Sequence, residues 1–225
     1  MNLGRIEGIY NQDTIKHVSL LGIKSWLFDF RPKSFSFIQQ YRFLEILEKS
    51  GEFAENIFML FNREKKETLE SFLDIVSKVA TKKEVMGKLK LEFDDFLDND
   101  DFDRYGVPFY LRVNRSISFE NLKKYKYCEG LVLDFKYLSS LHETDELLFF
   151  AQNLSNFRES HSLMKLILSA DWDSNLFHSL DELIPFNYLS MPINSKVESS
   201  YRTVDISVLS SNSQYFLRDR NEHTA

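Results

Sequence analysis

RIEGI at residues 5–9 and FDFRPKSFSFI at residues 28–38 read as the end of one strand and, one helix later, the end of a second with the loop that follows it. Outward from this pair, short apolar runs recur along the whole chain. They lie at 4–9, 25–30, 57–62 (IFMLFN), 88–93 (KLKLEF), 108–113 (PFYLRV), 130–135 (GLVLDF), 164–169 (MKLILS) and 186–191 (FNYLSM). The stretches between them, such as 37–49, 65–79 and 143–158, carry apolar residues at three- and four-residue spacing, the period of an amphipathic helix. Strands alternating with helices make βα units and a parallel sheet. Eight such units predict a single (β/α)8 (TIM) barrel, an α/β fold. The fourth unit is the weakest, because DDFLDNDDFDRY at 94–105 is acidic and poor in helix signals. No linker or low-complexity tract divides the chain, so one barrel domain is expected over 1–217, with a frayed tail at 218–225.

Composition agrees. The 225 residues fall somewhat short of the roughly 250 typical of such barrels, and 43% hydrophobic residues with 21 Phe supply one large, bulky core. No apolar run approaches the roughly 20 residues of a membrane span, and MNLGRIEGIYNQD lacks the apolar core of a signal peptide, so a cytoplasmic protein is expected. A single cysteine, Cys128, excludes an intramolecular disulfide and a multi-cysteine zinc site; with no histidine motif near it, it reads as a packed thiol. A net charge of −6 argues against nucleic acid as a partner. Only seven glycines occur, none after Gly130, although glycine is what lets backbone amides close around a phosphate.

The segments named above resemble phosphoribosylanthranilate isomerase, a (β/α)8 enzyme of tryptophan biosynthesis. That family opens with a strand reading K-x-C-G-I and has P-K-S-P-R-Y after its second strand. Here Glu7 stands where the family has its catalytic Cys, and Phe35 and Ser36 replace its Pro-Arg. The likeness continues through IFMLFN and its acidic helix start, through GLVLDF ending near Asp134 against the family's L-L-L-D, and through SKVESSYRTVD at 195–205 against its S-G-V-E-x-x-x-G-x-K-D phosphate loop. Ser195, Val197, Glu198 and Asp205 match that loop; Lys196 and Arg202 replace its two glycines and Val204 its Lys. The family's A-G-G-L, its other phosphate element, is represented by Ser169, Ala170, Asp171 and Trp172.

The resemblance implies an aldose-to-ketose (Amadori) rearrangement of a phosphorylated ribosylamine, with no cofactor. Such chemistry needs a general acid and a general base facing each other at the C-terminal mouth. Glu7 and Asp134 hold those positions, and two carboxylates can divide the roles if burial raises one of them. Arg112 is the candidate for holding a substrate carboxylate bidentately. Lys90, Ser195, Lys196 and Arg202 complete the expected substrate contacts, the last two as side-chain replacements for the missing glycine cradle. A different reading of the same residues pairs Glu7 with Arg5, Lys90 or Arg112 as a salt-bridge network in a disused site. A third gathers Glu7, Glu92, Asp134 and Asp171 as an oxygen-rich site for Mg²⁺ or Mn²⁺; the blander reading, with no metal, neutralises them with Arg5, Lys90, Arg112 and Lys196. The acidic run at 94–103 lacks the glycine and Glu spacing of a calcium loop and reads as solvated.

Two functional classes follow. One is an isomerase acting on a small phosphorylated sugar, with Glu7 and Asp134 facing across an open pocket. The other is an inactive relative serving as a binding or interaction protein, its mouth closed by side chains such as Trp172. Oligomeric state does not follow from the sequence.

Overall fold

The computed structural model describes residues 3–62, 64–80, 83–94, 100–172 and 177–222. Eight parallel strands close a barrel in chain order: β1 (Leu3–Glu7), β2 (Ser25–Asp29), β3 (Asn56–Phe61), β4 (Leu89–Phe93), β5 (Phe109–Val113), β6 (Cys128–Asp134), β7 (Lys165–Ser169) and β8 (Tyr188–Pro192). β1 pairs with β8, Arg5 opposite Ser190 and Glu7 opposite Pro192, so the sheet has no edge. The TIM barrel expected from the periodicity is the fold, and every predicted strand is present to within a few residues.

Helices alternate with the strands: α1 (Gln12–Leu20), α2 (Gln40–Ser50), α3 (Lys66–Val79), the short α4 (Lys83–Met86) and α5 (Phe119–Leu122), α6 (Phe135–Glu143), α7 (Leu147–Ser160) and α8 (Phe177–Leu183). Asn11 caps α1, accepting from the Thr14 amide at 2.8 Å. The helix expected over 143–158 is divided differently: α6 ends at Glu143, the chain turns through Asp145 with φ +59°, and α7 begins at Leu147. After β4 the described residues hold only a 3₁₀ turn at Asp103–Tyr105, as the acidic sequence there foretold; residues 95–99 lie outside the description. After β8 a small antiparallel hairpin, β9 (Glu198–Ser200) and β10 (Thr203–Val204), precedes α9 (Ile206–Glu222). Of the tail expected at 218–225, residues 218–222 are helical backbone of α9 and 223–225 lie outside the described residues. No helix among the described residues is long and apolar enough to cross a membrane.

The strands are apolar throughout because both faces are covered. Side chains pointing outward meet the helices, where the Phe-rich composition is used: Phe30 stacks on Phe61 at 5.1 Å and meets Phe72 edge-on at 4.8 Å. Those pointing inward fill the barrel with Leu27, Phe58, Leu60, Tyr110, Val132, Ile167 and Tyr188. Gly130 makes room for the largest of these. A Cβ there would stand 2.4 Å from the Lys165 carbonyl oxygen and 2.5 Å from the Tyr110 ring.

Candidate functional site

Toward the C-terminal ends of the strands the interior turns polar. Arg5 and Glu7 on β1, Glu92 on β4, Arg112 on β5, Ser169 on β7 and Ser190 on β8 are all at most 9% exposed. Alternation along each strand aims these side chains inward, and Arg112, Ser169 and Ser190 each follow an apolar member of the barrel filling by two residues. Glu92 Oε1 accepts from Arg112 Nε at 2.9 Å and Nη2 at 2.5 Å, and its Oε2 accepts from Arg5 Nη1 at 2.5 Å. Glu7 Oε1 accepts from Arg112 Nη1 at 2.9 Å. Its Oε2 accepts from Ser190 Oγ at 2.9 Å and Ser169 Oγ at 3.3 Å, with Arg5 Nη2 at 3.5 Å. Glu7, Arg112, Glu92 and Arg5 thus form a closed ring of alternating charge. Arg5 is further fixed by donating from Nε to Ser190 Oγ at 2.8 Å and by lying over the Phe58 ring at 4.6 Å.

The ring balances two positive and two negative charges where water is excluded, the condition under which buried ions are tolerated at all. Burial by itself would raise the Glu7 pKa, but the Arg112 and Arg5 guanidinia outweigh it and hold the value at about 2. Burial would likewise lower Arg112, yet Glu7 and Glu92 push it well above its ordinary range. Glu7 is therefore ionised at neutral pH and holds no proton to give as an acid. A carboxylate with so low a pKa is also a poor base, since proton transfer works best near the operating pH.

Asp134 is at the end of β6, opposite Ser169 in the register. Its side chain accepts from the Tyr137 amide at 3.1 Å, capping α6. No hydrogen bond or ion pair joins it to Glu7. Lys90 lies two residues before Glu92 on β4 and pairs with Glu129 at 2.9 Å. Arg112, read as either a substrate contact or a partner of Glu7, is the bridge of the ring.

The loops after β7 and β8 are tied to each other. Lys196 Nζ lies 3.0 Å from Asp171 Oδ1, so an internal carboxylate faces this cation where the family presents glycine amides. Trp172 donates from Nε1 to the Pro192 carbonyl at 2.8 Å across the β7–β8 exit. The first turn of α9 is capped by Asp205, which accepts from the Val208 amide at 3.1 Å. Ser195 is exposed in the turn before β9. Arg202 stands apart from this group, at the tip of the β9–β10 hairpin, where it donates to the Phe37 carbonyl.

Several residues here take roles that the sequence did not assign to them. Ser169 and Ser190 complete the shell of Glu7; their signal is inward parity near a strand end, which is clear only once the register is known. Arg31, within RPKS, binds Asp29 through Nε at 2.9 Å and Nη2 at 2.6 Å and also pairs with Asp94, closing the β2–β4 side of the mouth. Ser36, in place of the family's Arg, is buried and donates to the Ile193 carbonyl at 3.1 Å. It leaves no space beside Gly8, where an added Cβ would stand 2.5 Å from Ser36 Oγ. The acids proposed as a metal cluster are dispersed: Glu7 and Glu92 are separated by guanidinia, Asp171 faces Lys196, and Asp134 caps α6. Among the described residues no three His, Cys, Asp or Glu side chains come together as a metal site needs.

The sequence matches no protein-family model and no curated protein sequence. Solved structures do resemble the barrel. Phosphoribosylanthranilate isomerase from Thermotoga maritima superposes with a TM-score of 0.62 at 16% identity, covering 95% of this chain and 98% of that one. The likeness is one of fold. The Thermus thermophilus isomerase gives 0.58 at 15% identity over 95% of this chain and 99% of its own. A glycerophosphodiester phosphodiesterase from Parabacteroides distasonis scores 0.61 at 10% identity, covering 98% of this chain and 99% of that one. Enzymes of different chemistry are thus about equally similar in backbone, so function has to be argued from side chains.

Proposed function

We propose that this isomerase-like barrel does not run the aldose-to-ketose rearrangement and serves as a binding or interaction protein. The ring of Glu7, Arg112, Glu92 and Arg5 carries this reading, because it engages both oxygens of the carboxylate that replaces the family's catalytic Cys. Glu7 has no proton to donate at neutral pH, and Asp134 is engaged by a helix amide. To receive a substrate, the mouth would have to give up internal ion pairs and a tryptophan hydrogen bond on both flanks. Substrate binding would supply that energy only by replacing each contact with one as good.

The test is turnover of freshly prepared phosphoribosylanthranilate, followed as the loss of its anthranilate fluorescence, with Glu7→Gln and Asp134→Asn alongside. No turnover, and no thermal stabilisation by the substrate, is the expected result. Turnover by the wild type that both substitutions abolish would overturn the proposal and assign Glu7 and Asp134 as the acid/base pair.

A further inference from the structure

A cavity of about 410 Å³ opens on the flank of the barrel, between the first turns of α1 and α2 and beneath the tip of the β9–β10 hairpin. None of its lining residues belongs to the buried ring. Tyr10, Gln12, Gln39 and Tyr41 form walls, and two guanidinia, Arg42 and Arg202, face it. Its volume is in the range of small-molecule sites, roughly 300–1,000 Å³.

Arg202 is the unusual member. Its backbone has φ +58°, a left-handed conformation that costs a side-chain-bearing residue energy and that glycine adopts freely. The guanidinium is held over the Tyr10 and Tyr201 rings at 5.6 and 5.5 Å, and donates to the Phe37 carbonyl. Its Nε is buried with no hydrogen-bond partner. Arginine carries five N–H donors and Arg202 gives one of them to Phe37, so the guanidinium lining the cavity keeps donors for an acceptor from outside the chain. Arg42, across the cavity, pairs with Glu45 at 3.0 Å, but both side chains are largely exposed. Glu45 is also held by Lys49 at 2.7 Å, so Arg42 is able to turn toward a ligand without stranding that carboxylate. Glu45 on the rim, and Glu198 accepting from the Tyr10 hydroxyl, limit the anionic charge the site tolerates to about one oxyanion group.

We propose that this cavity binds a small organic oxyanion, a phosphate monoester or a carboxylate on a ring-sized body, gripped by the planar forks of Arg202 and Arg42 and packed against Tyr10 and Tyr41. The inference goes beyond the functional reading above, because the site is outside the barrel and its occupancy is measured without reference to turnover.

Titration calorimetry with phenyl phosphate, benzoate and neutral benzyl alcohol tests it. Saturable one-site binding of phenyl phosphate, benzoate or both is expected, and which of the two binds tells phosphate from carboxylate. Arg202→Gly and Arg42→Gln should each weaken it by roughly tenfold or more, the loss of one charge-assisted contact. Arg202→Gly relaxes the left-handed backbone and Arg42 is exposed, so both variants are expected to fold, which circular dichroism checks. Lys196→Gln should leave the affinity unchanged. Absence of saturable binding by either anion would overturn the proposal. So would benzyl alcohol binding as tightly as the anions, or binding lost in Lys196→Gln and kept in Arg202→Gly.

Discussion

Replacing Glu7 by glutamine removes one charge from the buried ring while leaving its shape almost unchanged. The carboxyl is held at about 2, against 4.5 when unstructured. At 1.36 kcal/mol per unit, that difference is worth about 3 kcal/mol of folding stability. Because the folded-state pKa is depressed, the contribution is complete above pH 4.5 and drains away as the pH falls toward 2. Near pH 3, where the unfolded carboxyl is protonated and the folded one still mostly ionised, linkage leaves about 1 kcal/mol. Glu7→Gln is therefore expected to be less stable than the wild type by about 3 kcal/mol at pH 7 and by about 1 kcal/mol at pH 3, within the range for breaking a buried pair. Urea unfolding at the two pH values, followed by the fluorescence of Trp26 and Trp172, gives the difference directly, and the carboxylates outside the ring contribute alike in both proteins and cancel. A gap of the same size at pH 7 and pH 3 would refute the assignment of the acid-sensitive energy to Glu7. A variant as stable as the wild type at pH 7 would refute the ring as a net contributor.

Asp134→Ala should cost about 0.5–2 kcal/mol through loss of the α6 cap, whereas Asp134→Asn, which caps as well, should unfold at nearly the wild-type urea midpoint. Gly130→Ala should lower stability by about 1–3 kcal/mol or more, since its methyl group meets a carbonyl oxygen as well as a ring; adding Tyr110→Leu should recover only part of the loss in thermal unfolding. Burial pushes the Cys128 thiol up to about 12, so it should resist an aromatic disulfide reagent at pH 8 in the folded protein and react fully in denaturant.

The barrel was legible because its signals are local and repeated. IFMLFN, KLKLEF and GLVLDF are apolar runs of strand length that cannot be satisfied on one face, and helix-period stretches of the right length separate them. The hairpin β9–β10 and the break between α6 and α7 were not read, because two- and three-residue strands and a single left-handed aspartate leave almost no periodic trace. Charged residues on strands were legible as inward candidates, and Glu7, Glu92, Arg5 and Arg112 were all noticed. Their pairing was legible only as a choice: Arg5, Lys90 and Arg112 were all candidate partners of Glu7, and the two arginines close the ring while Lys90 pairs with Glu129.

By itself the sequence determined that this chain alternates strand and helix, that eight units close a parallel sheet, and that carboxylates and arginines stand on strands near the mouth. Only the tertiary structure decided which charge meets which. A one-residue difference in strand stagger moves a side chain between the lumen and the helix layer, and pairing inside a barrel depends on the height of each residue along strands far apart in sequence. The same closure brought the hairpin arginine over the starts of α1 and α2, joining residues 10, 42 and 202 around a cavity that no local pattern announces.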